Sequence, residues 1–188
     1  MTSKSPPFIL SLFLTLSFTL PVSAADISAG EQKASACIGC HGQRGVSGSP
    51  QWPSLAAQQS PYLVNQLKAF KTGSRSNAMM QSIATHLSSE DMDNLAAYFS
   101  SQKAGKAGGD SALAKAGESK ASMCLGCHGL SAEGNGQFPR LAGQHPEYLE
   151  QQLKNFKSGI RKNGPMQALA ANLSEADIKA LAVYFGSL

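Results

Sequence analysis

The sequence predicts an all-α protein built from two tandem copies of one small helical unit. Three observations carry this. The chain repeats itself, its longer segments place apolar residues at helical spacing behind helix caps, and no segment alternates convincingly enough to read as a strand.

The repeat is dense. Ala29–His41 matches Ala116–His128 at an offset of 87 residues, with 10 of 13 positions identical. One residue is lost in the loop that follows, and an offset of 86 then holds to the end. Pro53, Leu55 and Ala56 meet Pro139, Leu141 and Ala142. Tyr62, Gln66, Phe70, Gly73 and Arg75 meet Tyr148, Gln152, Phe156, Gly159 and Arg161, and Tyr98-Phe99 meets Tyr184-Phe185. Between the copies, 102–110 is a Gly/Lys/Ala stretch without apolar periodicity and reads as a linker. The expected organisation is a leader at 1–24, a first domain at 25–101, the linker, and a second domain at 111–188.

Each copy reads as three helices. The first ends in Cys37-Ile-Gly-Cys40-His41, or Cys124-Leu-Gly-Cys127-His128. The second runs from Ser60-Pro61 to Gly73, and its counterpart from Pro146 to Gly159, with proline near the start and glycine just past the end. The last opens with Ser88-x-x-Asp91, matched by Ser174-x-x-Asp177, a capping pattern. Met92, Leu95, Ala96 and Phe99 then form an inward stripe at i, i+3, i+4 and i+7, and Ile178, Leu181, Ala182 and Phe185 repeat it.

The two C-x-x-C-H motifs hold all four cysteines of the chain. This is the attachment signature of c-type haem. Both thiols add across the haem vinyl groups as thioethers, and the adjacent histidine becomes an axial ligand to iron. The short spacing lets one helical turn present all three groups to one macrocycle. Two covalent haem c groups follow, on Cys37 and Cys40 with His41, and on Cys124 and Cys127 with His128. No cysteine remains for a disulfide. Each domain has fewer than 90 residues, so its peptide core alone is marginal and a buried haem supplies apolar surface to pack around.

Residues 1–24 fit export to the compartment where such attachment occurs. Lys4 gives a weakly positive start, Phe8–Leu20 is an apolar run of 13 residues, and Pro21-Val22-Ser23-Ala24 offers small residues for cleavage near Ala24. A run of 13 residues falls short of the roughly 20 that span a bilayer. A retained N-terminal anchor is the alternative. The mature chain then carries 15 Lys+Arg against 12 Asp+Glu, a net charge of +3. Four haem propionates would bring the holoprotein near neutrality, and no run of basic residues argues for nucleic acid.

The second axial ligand decides whether such an iron carries electrons or activates a substrate. Met80 and Met166 align in the repeat, each followed by Gln, 39 and 38 residues beyond their histidines. Thioether sulfur is a soft ligand that favours reduced iron. The expected pairs are His41/Met80 for haem one and His128/Met166 for haem two, with core filling as the competing role for a methionine. Met79 aligns with Pro165 and is the weaker candidate. Met92 and Met123 align with Ile178 and Ala36 and read as packing residues. His86 and His145 align with Asn172 and Gln59, which points to surface or helix-end roles. Pro53 and Pro139 could offer carbonyls to the Nδ1–H groups of His41 and His128. Arg75, Arg161, Tyr62, Tyr148 and Trp52 could bond the propionates, with surface or packing roles as equal contenders.

The duplicated C-x-x-C-H units, the P-x-L-A-x-Q loops at Pro53 and Pro139 and the two M-Q-x-[IL]-A…L-S segments resemble the dihaem cytochrome c4 family across Ala25–Leu188. The resemblance implies two class I cytochrome c folds about a pseudo-two-fold axis, with haem propionates meeting at the interface. It implies no enzyme activity but single-electron transfer in the periplasm, commonly toward a terminal oxidase and often at the outer face of the membrane. Redox partner proteins, such as a quinol-oxidising complex as donor, are the expected partners. One departure is the extra residue between Gly42 and Trp52, which predicts unequal exposure of the two haem edges. Three rival readings remain: the haem subunit of a flavocytochrome of the sulfide dehydrogenase type, a dihaem peroxidase with one open iron, and a zinc protein built on the C-x-x-C pairs.

Overall fold

The computed structural model describes Met1 and residues 24–188, so the expected leader, apart from its first and last residues, lies outside the described residues. In the first unit α1 (Ile27–Ala34) starts at Asp26, whose carboxylate accepts from the N–H groups of Ser28 and Ala29. A 3-10 turn, Ser35–Cys37, joins it to the one-turn α2 (Ile38–His41). Then come α3 (Ser60–Thr72), closed by left-handed Gly73, α4 (Ala78–Thr85), and α5 (Ser89–Ser101). The second unit repeats the order with α6 (Ser111–Glu118), α7 (Ser122–His128), α8 (Pro146–Lys157), α9 (Gly164–Ala171) and α10 (Glu175–Ser187). Among the described residues the β-structure is one isolated bridge, Asn135 to Phe138.

Two features depart from the sequence reading. The expected first helix is jointed in both units. Its first limb is pinned by a close crossing: a Cβ on Gly30 would stand 2.1 Å from the Asn94 carbonyl of α5, and one on Gly117 2.1 Å from that of Ala180 in α10. With that limb fixed against the last helix, tighter turns swing the C-x-x-C-H segment onto its own axis. The second departure is α4 and α9, helices that periodicity did not announce. Each has eight residues, too short for an apolar stripe to declare itself. Their caps are Asn77 and Asn163, whose side-chain oxygens accept from the N–H groups of Met80 and Met166 at 2.9 and 3.2 Å.

The expected core stripes are buried. Met92, Leu95, Ala96 and Phe99, and Ile178, Leu181, Ala182 and Phe185, are each at most 5% exposed. Both capping boxes form, with Ser88 and Asp91 bonding reciprocally and Ser174 and Asp177 doing the same. Matched bonds locate the extra residue of the first unit. Leu55 and Ala56 donate to the Gly45 carbonyl, while Leu141 and Ala142 donate to that of Ala132. Gly45 is thus equivalent to Ala132, and the offset changes between Gly45 and Leu55. Val46 lies against Gly105 of the connecting stretch, which also bonds the second unit through Ala107 N–H to the Gly143 carbonyl (3.2 Å).

Two predictions follow from this packing. Gly117→Ala drives a methyl into backbone that cannot retreat, and a loss of about 1–3 kcal/mol is expected in denaturant unfolding of the holoprotein. The second concerns acid. The Lys33 ammonium, bonded at 2.8 Å, and the Ser88 cap hold the Asp91 carboxyl below its usual range. Lys120 at 2.6 Å and Ser174 do the same for Asp177. A carboxyl depressed in the folded state contributes stability above its unfolded value of about 3.9, and that contribution is lost as pH falls through the folded value. The part of the acid limb owed to these two carboxyls should therefore be absent above about pH 5 and grow below about pH 4. Asp177→Asn should shallow that acid limb, and superimposable limbs in parent and variant would contradict this.

Candidate functional site

Each motif histidine sits at the C-terminal end of a short helix and is buried, His41 at 7% and His128 at 6% exposure. The His41 Nδ1 lies 2.8 Å from the Pro53 carbonyl, and the His128 Nδ1 lies 2.8 Å from that of Pro139. A carbonyl only accepts, so Nδ1 carries the proton and Nε2 keeps its lone pair. Burial lowers the pKa of both rings, and the proline carbonyls only partly oppose it, which favours the neutral imidazole a metal requires. The proline role expected from the sequence is met in both units.

The four motif cysteines and both motif histidines line one continuous cavity of about 1040 Å³. Cys37, Cys40, His41 and Met80 wall one part of it, and Cys124, Cys127, His128 and Met166 another. Burial, with a smaller contribution from the neighbouring cysteine, raises the Cys37 and Cys124 thiols. The fourth of these cysteines, Cys127, is exposed where its counterpart Cys40 is half-buried. Phe138 stands edge-on to the His128 ring at 6.3 Å, and both it and its counterpart Trp52 line the cavity. Met79 is 49% exposed on the same wall as half-buried Met80. Met123, expected to pack, is instead 64% exposed at the cavity rim. It precedes Cys124 on a seven-residue helix whose buried side is taken up by His128.

The cavity runs between the units, and the contacts that close it are reciprocal. Arg75 donates to Tyr148 and Gln152 across the interface and to Gln66 of its own unit, at 2.9, 2.9 and 2.8 Å. Arg161 donates to Tyr62, Gln66 and Gln152, each at 2.9 Å. Each guanidinium also stacks 4.6 Å from the centroid of its own unit's Phe70 or Phe156. Burial would raise the Tyr148 phenol, but the charges of Arg75 and Arg161 outweigh it and pull it down. Neither arginine enters an ion pair among the described residues. Two guanidiniums without carboxylates on the wall of an apolar cavity suit a ligand that brings its own acids. Together with free Nε2 lone pairs and paired thiols, this donor set fits two haems.

Reciprocity extends to residues that the sequence reading set aside. His145 Nε2 donates to the Ser47 carbonyl at 2.9 Å, and aligned Gln59 donates through Nε2 to the Glu133 carbonyl at 3.0 Å. A histidine and a glutamine thus perform one task, and only the aligned position signals it. His86 sits exposed at the end of α4, as expected. Gln58 and Gln144, each 7% exposed, also cross the interface, to the backbone of Arg140 and Ser54 respectively.

Two tandem helical units, each offering a C-x-x-C-H turn and a buried imidazole to a shared apolar cavity, define a c-type cytochrome with two haem c groups. The family model for cytochrome c matches residues 27–103 and again 114–188. The chain is 39% identical to cytochrome c4 of Pseudomonas aeruginosa over 96% of its own length and 98% of that protein. It overlays the crystal structure of reduced recombinant cytochrome c4 from Pseudomonas stutzeri with a TM-score of 0.82 at 39% identity, covering 88% of this chain and 100% of that one. It is also 37% identical to a thiosulfate dehydrogenase electron acceptor of Stutzerimonas stutzeri, over 82% of this chain and 80% of that protein. The chain belongs to the cytochrome c4 family of dihaem electron-transfer proteins, which are not enzymes.

The crossed arginines give a direct prediction. Arg75→Leu removes the bonds to Tyr148 and Gln152 and should speed hydrogen exchange in α8 at the interface. Exchange there equal to that of the parent would show that Arg75 does not hold the units together.

Proposed function

We propose that this chain is a periplasmic carrier of single electrons whose irons are each held between a histidine and a methionine. The observation that carries the reading is the shared cavity, walled by both sets of two cysteines, one histidine and one methionine. Cys37 and Cys40, and Cys124 and Cys127, are the attachment thiols. His41 with Met80 and His128 with Met166 are the axial pairs. When bound, each haem supplies one iron that alternates between ferric and ferrous states. The proline carbonyls orient the imidazoles, the thioether sulfurs favour the reduced metal, and apolar walls keep water from the cavity. Arg75, Arg161, Tyr62 and Tyr148 receive the propionates where the units meet. The leader at 1–24 supports export, as the attachment chemistry requires. Among the described residues no helix is long and apolar enough to cross a membrane.

The partners fall into two readings. A quinol-oxidising complex as donor and a terminal oxidase as acceptor fit the family's place in respiration. The second is favoured by a specific observation, the similarity to a thiosulfate dehydrogenase electron acceptor. It makes the donor a sulfur-oxidising dehydrogenase, close to the flavocytochrome alternative weighed from the sequence.

Met80→Ala and Met166→Ala test the site. Each should open one iron to added imidazole or carbon monoxide and lower that haem's midpoint potential, leaving the other unchanged. A variant whose spectrum and potential match the parent would remove that methionine from the ligand set.

A further inference from the structure

We infer that Gln58 and Gln144 are crossed positioning residues, each tuning the axial histidine of the opposite unit through a single shared peptide group. This rests on the assignment of His41 and His128 as ligands and concerns how their strength as donors is set.

The peptide group between Pro139 and Arg140 is bonded at both ends. Its carbonyl, from Pro139, accepts from His128 Nδ1 at 2.8 Å. Its N–H, from Arg140, donates to Gln58 Oε1 of the first unit at 2.7 Å. Gln58 Nε2 then donates to the carbonyl of Arg140 at 3.0 Å, so the side-chain amide pairs with both backbone groups of that residue. The other unit mirrors this. The Pro53 carbonyl accepts from His41 Nδ1 at 2.8 Å, and the N–H of the same peptide group, from Ser54, donates to Gln144 Oε1 at 2.9 Å. Gln144 Nε2 closes the pair on the Ser54 carbonyl at 2.8 Å. Each Gln Oε1 is further fixed by the N–H of the next residue, Gln59 or His145, at 2.9 and 3.1 Å.

Hydrogen bonds in series through one amide reinforce each other, most strongly away from water. Donation by the Arg140 N–H makes the Pro139 oxygen a stronger acceptor. That oxygen draws harder on the Nδ1–H of His128 and leaves Nε2 more electron-rich. A partner behind a metal-bound imidazole raises its basicity and fixes its orientation in this way. A more basic ligand stabilises the oxidised metal, so the distant glutamine holds the potential of the opposite haem down. A simple clasp between the units would need no such aim. Both glutamines place Oε1 on the peptide group that carries the histidine's acceptor.

The test is an NMR redox titration of the full-length holoprotein, following the hyperfine-shifted haem methyl and histidine ring signals of each haem separately. Gln58→Met keeps the side-chain volume and removes the amide. It should raise the midpoint potential of the haem at His128 and move the His128 ring signals, with the haem at His41 unchanged. Gln144→Met should do the converse, and serves as the independent variant should the first fail to fold. A shift confined to the variant's own unit, an equal shift of both haems, or none would overturn the inference, since a loosened interface or local repacking predicts those patterns. A parent protein lacking hyperfine-shifted signals from either histidine ring would overturn the ligand assignment instead.

Discussion

The bond from each histidine Nδ1–H to a proline carbonyl, 2.8 Å in both units, is the constraint on which the site depends. It selects one tautomer, leaves the other nitrogen available to a metal, and fixes the ring plane. It also ties the C-x-x-C-H turn to a loop more than ten residues away, which obliges that loop to be rigid. The loops from Pro53 and Pro139 meet that demand by bonding inward to Gly45 or Ala132 and outward to the opposite unit's glutamine. One local requirement of the ligand thus shapes the loop, and the loop shapes the interface.

Duplication solves a size problem. A helical unit of this length cannot bury much apolar surface, and its haem cavity would lie open on one side. Placing two units about an approximate two-fold axis closes each cavity with the other. Reciprocal contacts are what such symmetry produces, and they recur in the Arg75/Arg161, Gln58/Gln144 and Gln59/His145 pairs. The interface is polar where it surrounds the cavity, and its two cations lack carboxylate partners. On the proposed assignment the cofactors' acids complete that network, which makes holding the haems and holding the units together one task.

Much of this was legible in the chain. The repeat, the capping boxes and the C-x-x-C-H turns predicted the helices that frame the site, because caps and motifs are local signals. Other parts were not. The helices carrying Met80 and Met166 are too short for periodicity, and their asparagine caps would have been found only by asking which residues of the repeat flank the methionines. The joint before Cys37 follows from a close helix crossing at Gly30, a tertiary fact. The repeat shows that Gln58 and Gln144 are equivalent without showing that each contacts the other unit. His145 illustrates the limit of identity matching: it differs from Gln59 in type, yet donates to the equivalent carbonyl.

The proposed assignment gives both irons internal ligands on both faces, which makes the molecule a carrier. It is tested most directly by the optical spectrum of the dithionite-reduced holoprotein before and after carbon monoxide is added. Two internally ligated irons should give superimposable spectra. Rapid, stoichiometric binding of the gas at either haem would contradict the assignment and put an open iron in the place of one histidine–methionine pair.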